Sequence, residues 1–258
     1  MTFSIVTCTR NSAATLADTL ASVQGQTCRD IEHVFVDGGS RDGTLAMLAA
    51  CPGNTHLVRD IGGGISRAMN AGIAAASGDI VAHLHADDYY LDPDVLATVR
   101  AAFEHADAVG RPLDWVFGAI QVRKGDRLLP PQPMPPFSYR AFAAGRATVP
   151  HPAVFVRRSA FARVGVFDEG LRYAMDIDLW LRLGLVAEPG VIARPLAAFR
   201  DHPGSVSSSN KRAARREEFA VRRRHAGRAP FAFAIYCLRY LKRLRTLPAE
   251  SRLPPENI

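Results

Sequence analysis

Cysteine is scarce. The 258 residues contain only Cys8, Cys28, Cys51 and Cys237. No Cys-x-x-Cys pair or Cys/His metal spacing occurs, which argues against the common zinc modules. Four scattered cysteines read as reduced thiols in a reducing compartment. No run of 18 uncharged apolar residues is present, so nothing in the sequence reads as a membrane span. Met1–Val6 enters a strand pattern at once, without the basic start and long apolar stretch of a signal peptide. There is no Gly-x-Ser-x-Gly elbow, no His-Glu-x-x-His and no Gly-Lys-Ser/Thr phosphate loop. Serine hydrolase, zinc protease and Walker-type nucleotide chemistry therefore fall away.

What is present is ordinary globular composition, 48% hydrophobic and 22% charged. The length suits one large domain, or one domain with an appendage. The net charge of +7 is unevenly placed. Between Lys211 and Arg245 stand twelve lysines and arginines against Glu217 and Glu218, while residues 1–210 are slightly acidic. Nucleic acid would call for a basic stripe, a helix-turn-helix or an aromatic RNA-binding motif on the body, and the sequence offers none of these. The apolar and aromatic segment Pro230–Leu238, followed by Arg239, Lys242, Arg243 and Arg245, has the composition of an interfacial helix on an anionic membrane. A C-terminal helix packed on the domain with a solvated charged face fits the same composition.

Along the first hundred residues strands alternate with helices. Phe3–Thr9, Ile31–Val36, Thr55–Val58 and Asp79–Leu84 are short apolar, β-branched runs. Between them, Leu16, Leu20 and Val23 follow a cap at Asn11-Ser12, Asp42-Gly43-Thr44 opens a second helix, and Gly62-Gly63-Gly64 leads into a third over Ile65–Ala76. That order predicts a parallel sheet with helices on both faces, whose ligands lie beyond the carboxyl ends of the strands. The polar clusters Thr9-Arg10-Asn11, Asp37-Gly38-Gly39-Ser40 and Asp87-Asp88 all follow strand ends. The second half is less regular. Trp115–Ala119 and Val154–Val156 read as strands and Asp178–Leu185 as a helix, while five prolines within Pro130–Pro136 impose loop or extended chain.

Asp87 and Asp88 repel one another, and a hard divalent cation, Mg²⁺ or Mn²⁺, would relieve that repulsion. A helix cap before Pro93 is the plainer use of the same acids. Asp37 suits a hydrogen-bond acceptor for a base or ribose, or an Asx turn. The three glycines suit a phosphate cradle or a plain connection. Asp176, just before an apolar helix, suits a general base or simply a favourable helix-start acid. His202, in a loop, could be a metal or phosphate ligand or ordinary polar surface, and His151 carries a similar or lower weight.

Six segments occurring in this order resemble a known family: Ser4–Asn11, Val36–Thr44, Ala68–Ile73, Ser77–Ile80, Ala86–Asp88 and Asp176–Arg182. The chain is similar over about residues 3–208 to family 2 glycosyltransferases of the GT-A fold, near those of bacterial O-antigen and exopolysaccharide assembly. The resemblance implies an α/β, Rossmann-like nucleotide-sugar-binding fold with a mixed central sheet. It implies a domain over 1–209, with 1–100 as nucleotide-binding half and 101–209 as acceptor-binding half, and a basic helical extension over 210–258. It further implies inverting, metal-dependent transfer from a nucleotide-sugar donor, UDP- or dTDP-linked, to a hydroxyl on a glycan or lipid-linked acceptor.

Carried over by position, Thr7, Thr9, Arg10 and Asn11 line the nucleotide, Asp37 holds the base, and Asp60 and Asn70 lie near the ribose and phosphates. Asp87 and Asp88 bind Mn²⁺ or Mg²⁺, His202 helps to close the diphosphate site, and Asp176 is the catalytic base. Two departures stand out. His85 occupies a position where many relatives have an acid. Gly62–Asn70 has lost two acids and gained Arg67, a candidate for the diphosphate. The expected location is the cytoplasm, peripheral to the inner face of the plasma membrane if residues 211–247 dock there. A nucleotide-sugar-binding scaffold without transfer is the alternative reading, and a nucleic-acid-binding protein is a third.

Overall fold

The computed structural model describes residues 1–131, 133–201 and 210–246. His202 lies outside them, as does the Ser207–Asn210 junction except for Asn210 itself. The amino-terminal half alternates β1 (Phe3–Thr9), α1 (Leu16–Gln24), β2 (Ile31–Asp37), α2 (Thr44–Ala49), β3 (Thr55–Val58), α3 (Ile65–Ala75) and β4 (Ile80–His83). β1 pairs in parallel with β2 and β4, and β2 pairs in parallel with β3. This half follows the periodicity of the sequence. The first helix is the exception: it starts at Leu16 behind Thr15, and Asn11 instead takes a left-handed turn, φ 51°. Asparagine tolerates that conformation because its short amide can bond the local backbone, and Asn11 Oδ1 accepts from Arg41 N–H.

The second half comprises β5 (Tyr89–Tyr90), α4 (Val95–Ala108), β6 (Trp115–Lys124), β7 (Arg127–Leu128), α5 (Tyr139–Ala143), β8 (Val154–Arg157), α6 (Arg158–Val164), α7 (Met175–Val186) and β9 (Gly190–Arg200). The described strands form one sheet in the order β3-β2-β1-β4-β8-β6-β9-β5, with β7 on β6. β8 is antiparallel to both β4 and β6, so the sheet is mixed. The long β9, running beside β6, carries no clean alternation and contains Pro195, which hides it in the sequence.

The strand period of two sorts the core. On β1, Phe3 and Ile5 join Ile80, Leu96, Phe103 and Phe155 on one face, whereas Val6 and Cys8 join Val34, Met69, Trp115 and Trp180 on the other. α3 rides so close to the sheet that a Cβ on Gly72 would meet Val6 Cγ1 at 2.2 Å. Any side chain there would push the helix off its strands.

Two helices follow, α8 (Lys211–Arg224) and α9 (Pro230–Thr246). Both pack on the body. Arg222 is buried, donates to Glu218 at 3.0 Å and to the carbonyls of Phe142 and Ala143, and stacks on Tyr236. His225 Nε2 lies 3.0 Å from Asp178, and Arg224 bonds Asp168 at 2.7 Å. Burial alone would raise the Glu218 carboxyl, but Arg222 and Arg215 hold it below its ordinary value. No helix among the described residues is long and apolar enough to cross a membrane.

Candidate active site

The parallel register sets the site. β1 and β2 run in step to their ends, so Thr9 lies beside Asp37. Thr9 Oγ1 donates to Asp37 Oδ2 at 2.8 Å. Ser40 Oγ donates to the same oxygen, and the Gly39 and Ser40 N–H groups donate to Oδ1. Burial works against this carboxylate, but those four bonds hold it below the usual range. Asp37 is buried and spent on its own loop. Gly39 needs its freedom there, since its φ is +85°. Thr7 is also buried, donating to the Leu84 carbonyl at 2.8 Å and meeting His33 Nε2 at 2.9 Å.

Beyond the carboxyl ends of β1 and β4 opens a cleft of about 610 Å³. Arg10, Asn11, Asp87, Asp88 and Asp176 line it together, with Cys8, Ser12, His85, His151, Arg172 and Tyr173. The expectation that acids from distant segments share one pocket is therefore met for Asp87, Asp88 and Asp176. Asp37, Asp60, Arg67 and Asn70 are not among its lining residues. Asp60 is exposed in a left-handed turn, φ 60°. Arg67 is exposed and folds over Gly63. The Asn70 amide clamps a loop, donating to the Phe167 carbonyl and Glu169 and accepting from Phe167 N–H. His151 reaches the cleft, whereas Val149 enters the core and no described residue of the proline-rich stretch 130–136 lines the cleft.

Asp87 and Asp88 stand on the turn entering β5, which pairs antiparallel with β9. That pairing brings Arg200 alongside. Its N–H donates to Asp88 Oδ1 at 3.1 Å, its Nε to the Asp87 carbonyl at 3.1 Å, and its Nη2 to Asp18 at 2.6 Å. Burial and the neighbouring Asp87 nonetheless raise the Asp88 carboxyl well above its ordinary value. Two hard-oxygen carboxylates held close in this way are the donor set that suits Mg²⁺ or Mn²⁺, with water and phosphate oxygens completing the shell. Among the described residues no group of three His, Cys, Asp or Glu side chains is placed to hold a metal by itself. The residues thus fit a cation that depends on its substrate for further ligands.

Asp176 sits in the first turn of α7. Burial pushes its carboxyl up to about 6, with Glu218 adding to the rise and the Ile177 N–H opposing it. The segment leading to this turn is held from far away in sequence. Glu217, on α8, accepts from the N–H groups of Arg172, Tyr173 and Ala174 at 2.6–3.1 Å. One carboxylate thus holds three consecutive backbone donors immediately ahead of Asp176. Its only local sign is a pair of acids, Glu217 and Glu218, inside a basic run.

His85 and His151 also line the cleft, their rings stacked with centroids 5.1 Å apart and 9° between planes. His83 lies 5.8 Å from His151. Burial lowers all three imidazoles below their ordinary value; at His151 the neighbouring His85 and His83 add to the effect, and at His85 Asp87 opposes it. The lining residues Arg172 and Tyr173, and the clamp Arg200, had no local pattern to mark them.

A mixed sheet with acids beyond the carboxyl ends of its parallel strands is the layout that the six sequence motifs led us to expect. The Glycosyl transferase family 2 model matches residues 4–165, and the chain belongs to that family. It is 38% identical over 200 residues to an uncharacterized glycosyltransferase of Mycobacterium tuberculosis, covering 77% of this chain and 74% of that one. It is 33% identical over 207 residues to a PGL/p-HBAD biosynthesis glycosyltransferase of Mycobacterium bovis, covering 74% and 72%. Among solved structures it is similar to S. aureus TarS 1-349 in complex with UDP-GlcNAc, with a TM-score of 0.70 and 20% identity over 86% of this chain; the match spans 65% of the TarS chain. It is also similar to the mannosyltransferase PcManGT of Pyrobaculum calidifontis in complex with GDP-Man and Mn²⁺, with a TM-score of 0.61 and 19% identity, covering 96% and 76%. The GT-A fold is thereby established.

Proposed function

We propose that this chain transfers a sugar from a UDP- or dTDP-sugar to a hydroxyl of a lipid-linked or glycan acceptor, with inversion at the anomeric carbon, in the assembly of a cell-surface polysaccharide or glycolipid. The observation that carries this reading is the convergence of Asp87, Asp88 and Asp176 on one cleft. The likeness to a PGL/p-HBAD biosynthesis enzyme supports glycolipid chemistry, and neighbours bound to UDP-GlcNAc and GDP-Man support a nucleotide-sugar donor. O-antigen or exopolysaccharide assembly remains within the same chemical class.

Asp176 accepts the proton of the acceptor hydroxyl as its oxygen forms the bond to the anomeric carbon. The bond from that carbon to the diphosphate oxygen breaks on the opposite face, and the nucleoside diphosphate leaves with the electron pair. A carboxyl with its affinity for protons raised to about 6 is a stronger base than an ordinary aspartate and is still ionised at neutral pH. Asp87 and Asp88 would hold Mn²⁺ or Mg²⁺, which supplies charge neutralisation at the leaving diphosphate when bound. Arg10 and Asn11 meet the nucleotide from the cleft wall. Thr9 and Asp37 fix the rim against which the base packs, and Asn70 holds the 167–169 loop. The neutral pair His85 and His151 offers an apolar face and hydrogen-bonding nitrogens to a sugar ring without adding charge. The intact acids favour a transferase over a scaffold that binds the donor without turnover.

The test is Asp176→Asn. Donor binding, followed by titration with a UDP-sugar and Mn²⁺, is expected to persist while transfer is lost. Near-normal turnover in that variant rejects the assignment of the base.

A further inference from the structure

The twelve lysines and arginines between Lys211 and Arg245 do not behave as one basic tail. On α8, Arg215 and Arg222 bind Glu218, and Arg224 binds Asp168. α9 is built differently. Its inward face packs Ala232 and Tyr236 into the body, with Phe233 and Tyr240 against Phe219. Its outward face carries Phe231, Ile235, Leu238 and Leu241, which are 86%, 41%, 71% and 55% exposed. Spacings of four, three and three place these on a single helical stripe. Lys242 and Arg245, both exposed, continue the same face toward the helix end.

Beside this stripe lies a groove of about 490 Å³ between α5 and α9, walled in part by Phe231 and Ile235. Arg140, Arg146 and Arg228 line it. None of these three guanidinium groups has a hydrogen bond or ion pair with a described residue. The exposed phenyl and aliphatic stripe is costly to leave in water, and the exposed arginines beside it set a band of positive charge along its edge. They match a surface that presents phosphates at one level and hydrocarbon just beneath.

We propose that the α5–α9 groove and the outward face of α9 form a docking surface for an anionic lipid membrane. Arg140, Arg146 and Arg228 hold lipid phosphates, and Phe231, Ile235, Leu238 and Leu241 enter the acyl boundary. A nucleic acid would meet leucines where it needs cations. A two-fold contact with a second copy would set the same arginines against each other. The helix lies on the membrane and does not cross it. The inference deepens the lipid-linked acceptor reading by placing the enzyme where such an acceptor is found.

The test uses the full chain and co-sedimentation with vesicles of phosphatidylglycerol and phosphatidylcholine, against phosphatidylcholine alone. Binding is expected to the anionic vesicles and to weaken as salt shortens the range of charge attraction. Phe231→Ser with Leu238→Ser, and separately Arg140→Gln with Arg146→Gln and Arg228→Gln, should each reduce the bound fraction at least tenfold. Removing equal charge from α8, by Lys211→Gln, Arg216→Gln and Arg223→Gln, should change it less than threefold. Equal losses from the two arginine sets would overturn the assignment in favour of diffuse attraction. A second readout does not depend on tolerance of the serines. Phe231→Trp should be quenched by brominated lipids, because Trp115 and Trp180 are buried, and an unquenched Trp at 231 overturns the proposal. Wild-type light scattering showing a dimer that Phe231→Ser dissociates, with vesicle binding unchanged, overturns it in favour of a second copy. UDP-sugar binding measured without vesicles reports on the transferase reading separately and should be the same in every variant.

Discussion

The two acidic corners of the cleft are built by opposite means. Asp87 and Asp88 are adjacent in the chain, and their proximity comes with the covalent structure; the fold's task is to hold the repelling pair still, which Arg200 does from the end of β9. Asp176 stands alone at a helix start, half-buried on the cleft wall, and Glu217 fixes the turn before it from α8. In the proposed reaction the first corner would hold a cation and the second would take up a proton. Burial raises the carboxyls of both Asp88 and Asp176, and a like charge adds to the rise at each, Asp87 in one case and Glu218 in the other.

The contrast is broken most severely at the single acid. Asp176→Asn should lower transfer by about 10³-fold, within the range for loss of a positioned general base, as measured by release of nucleoside diphosphate in the presence of acceptor. Asp88→Asn should act on the other corner, weakening Mn²⁺-dependent donor binding on the order of 100-fold, as expected when a metal's charge stabilisation is lost. Donor binding in the presence of a chelator should barely change. Glu217→Gln keeps the shape but weakens the acceptor for three N–H groups, so turnover should fall about tenfold, with donor affinity held, if the weakened bonds together cost about 1.4 kcal/mol. That split between turnover and affinity would mark Glu217 as a positioning residue.

Acidity sharpens the comparison further. Transfer should fall about tenfold per pH unit below an apparent value of about 6 and level off above it, because the base must be ionised. The same shift has a stability sign. The folded-state value lies above the ordinary 3.8, so folding favours the protonated form. Stability from this group is fullest below 3.8 and is lost as pH rises through about 6. Asp176→Asn should therefore raise the melting temperature at pH 7.5 by about 2–4 °C for each kcal/mol relieved, and the gain should shrink toward pH 4 in a thermal melt.

Much of the amino-terminal half was legible because its determinants are local. β-branched runs in Phe3–Thr9 and Ile31–Val36 and helical spacing in Leu16, Leu20 and Val23 are each set within a few residues. The same holds for the acid turn after β4. Less was legible where a polar residue serves the backbone. Asp37 and Asn70 carry family-like positions, but their hydrogen bonds in this structure go to nearby loops. The α8–α9 segment left two readings open because composition does not say which face of a helix meets the body.

By itself the sequence determined the strand and helix order of the first hundred residues, the placing of polar clusters at strand ends, and the family, since periodicity and short motifs are properties of neighbouring residues. The tertiary structure decided that Asp176 joins Asp87 and Asp88, that Arg200 and Glu217 hold the two corners, and that α8 turns its arginines to internal carboxylates while α9 turns its apolar stripe outward. Those outcomes depend on sheet register and on burial between segments tens of residues apart, and no local pattern encodes either.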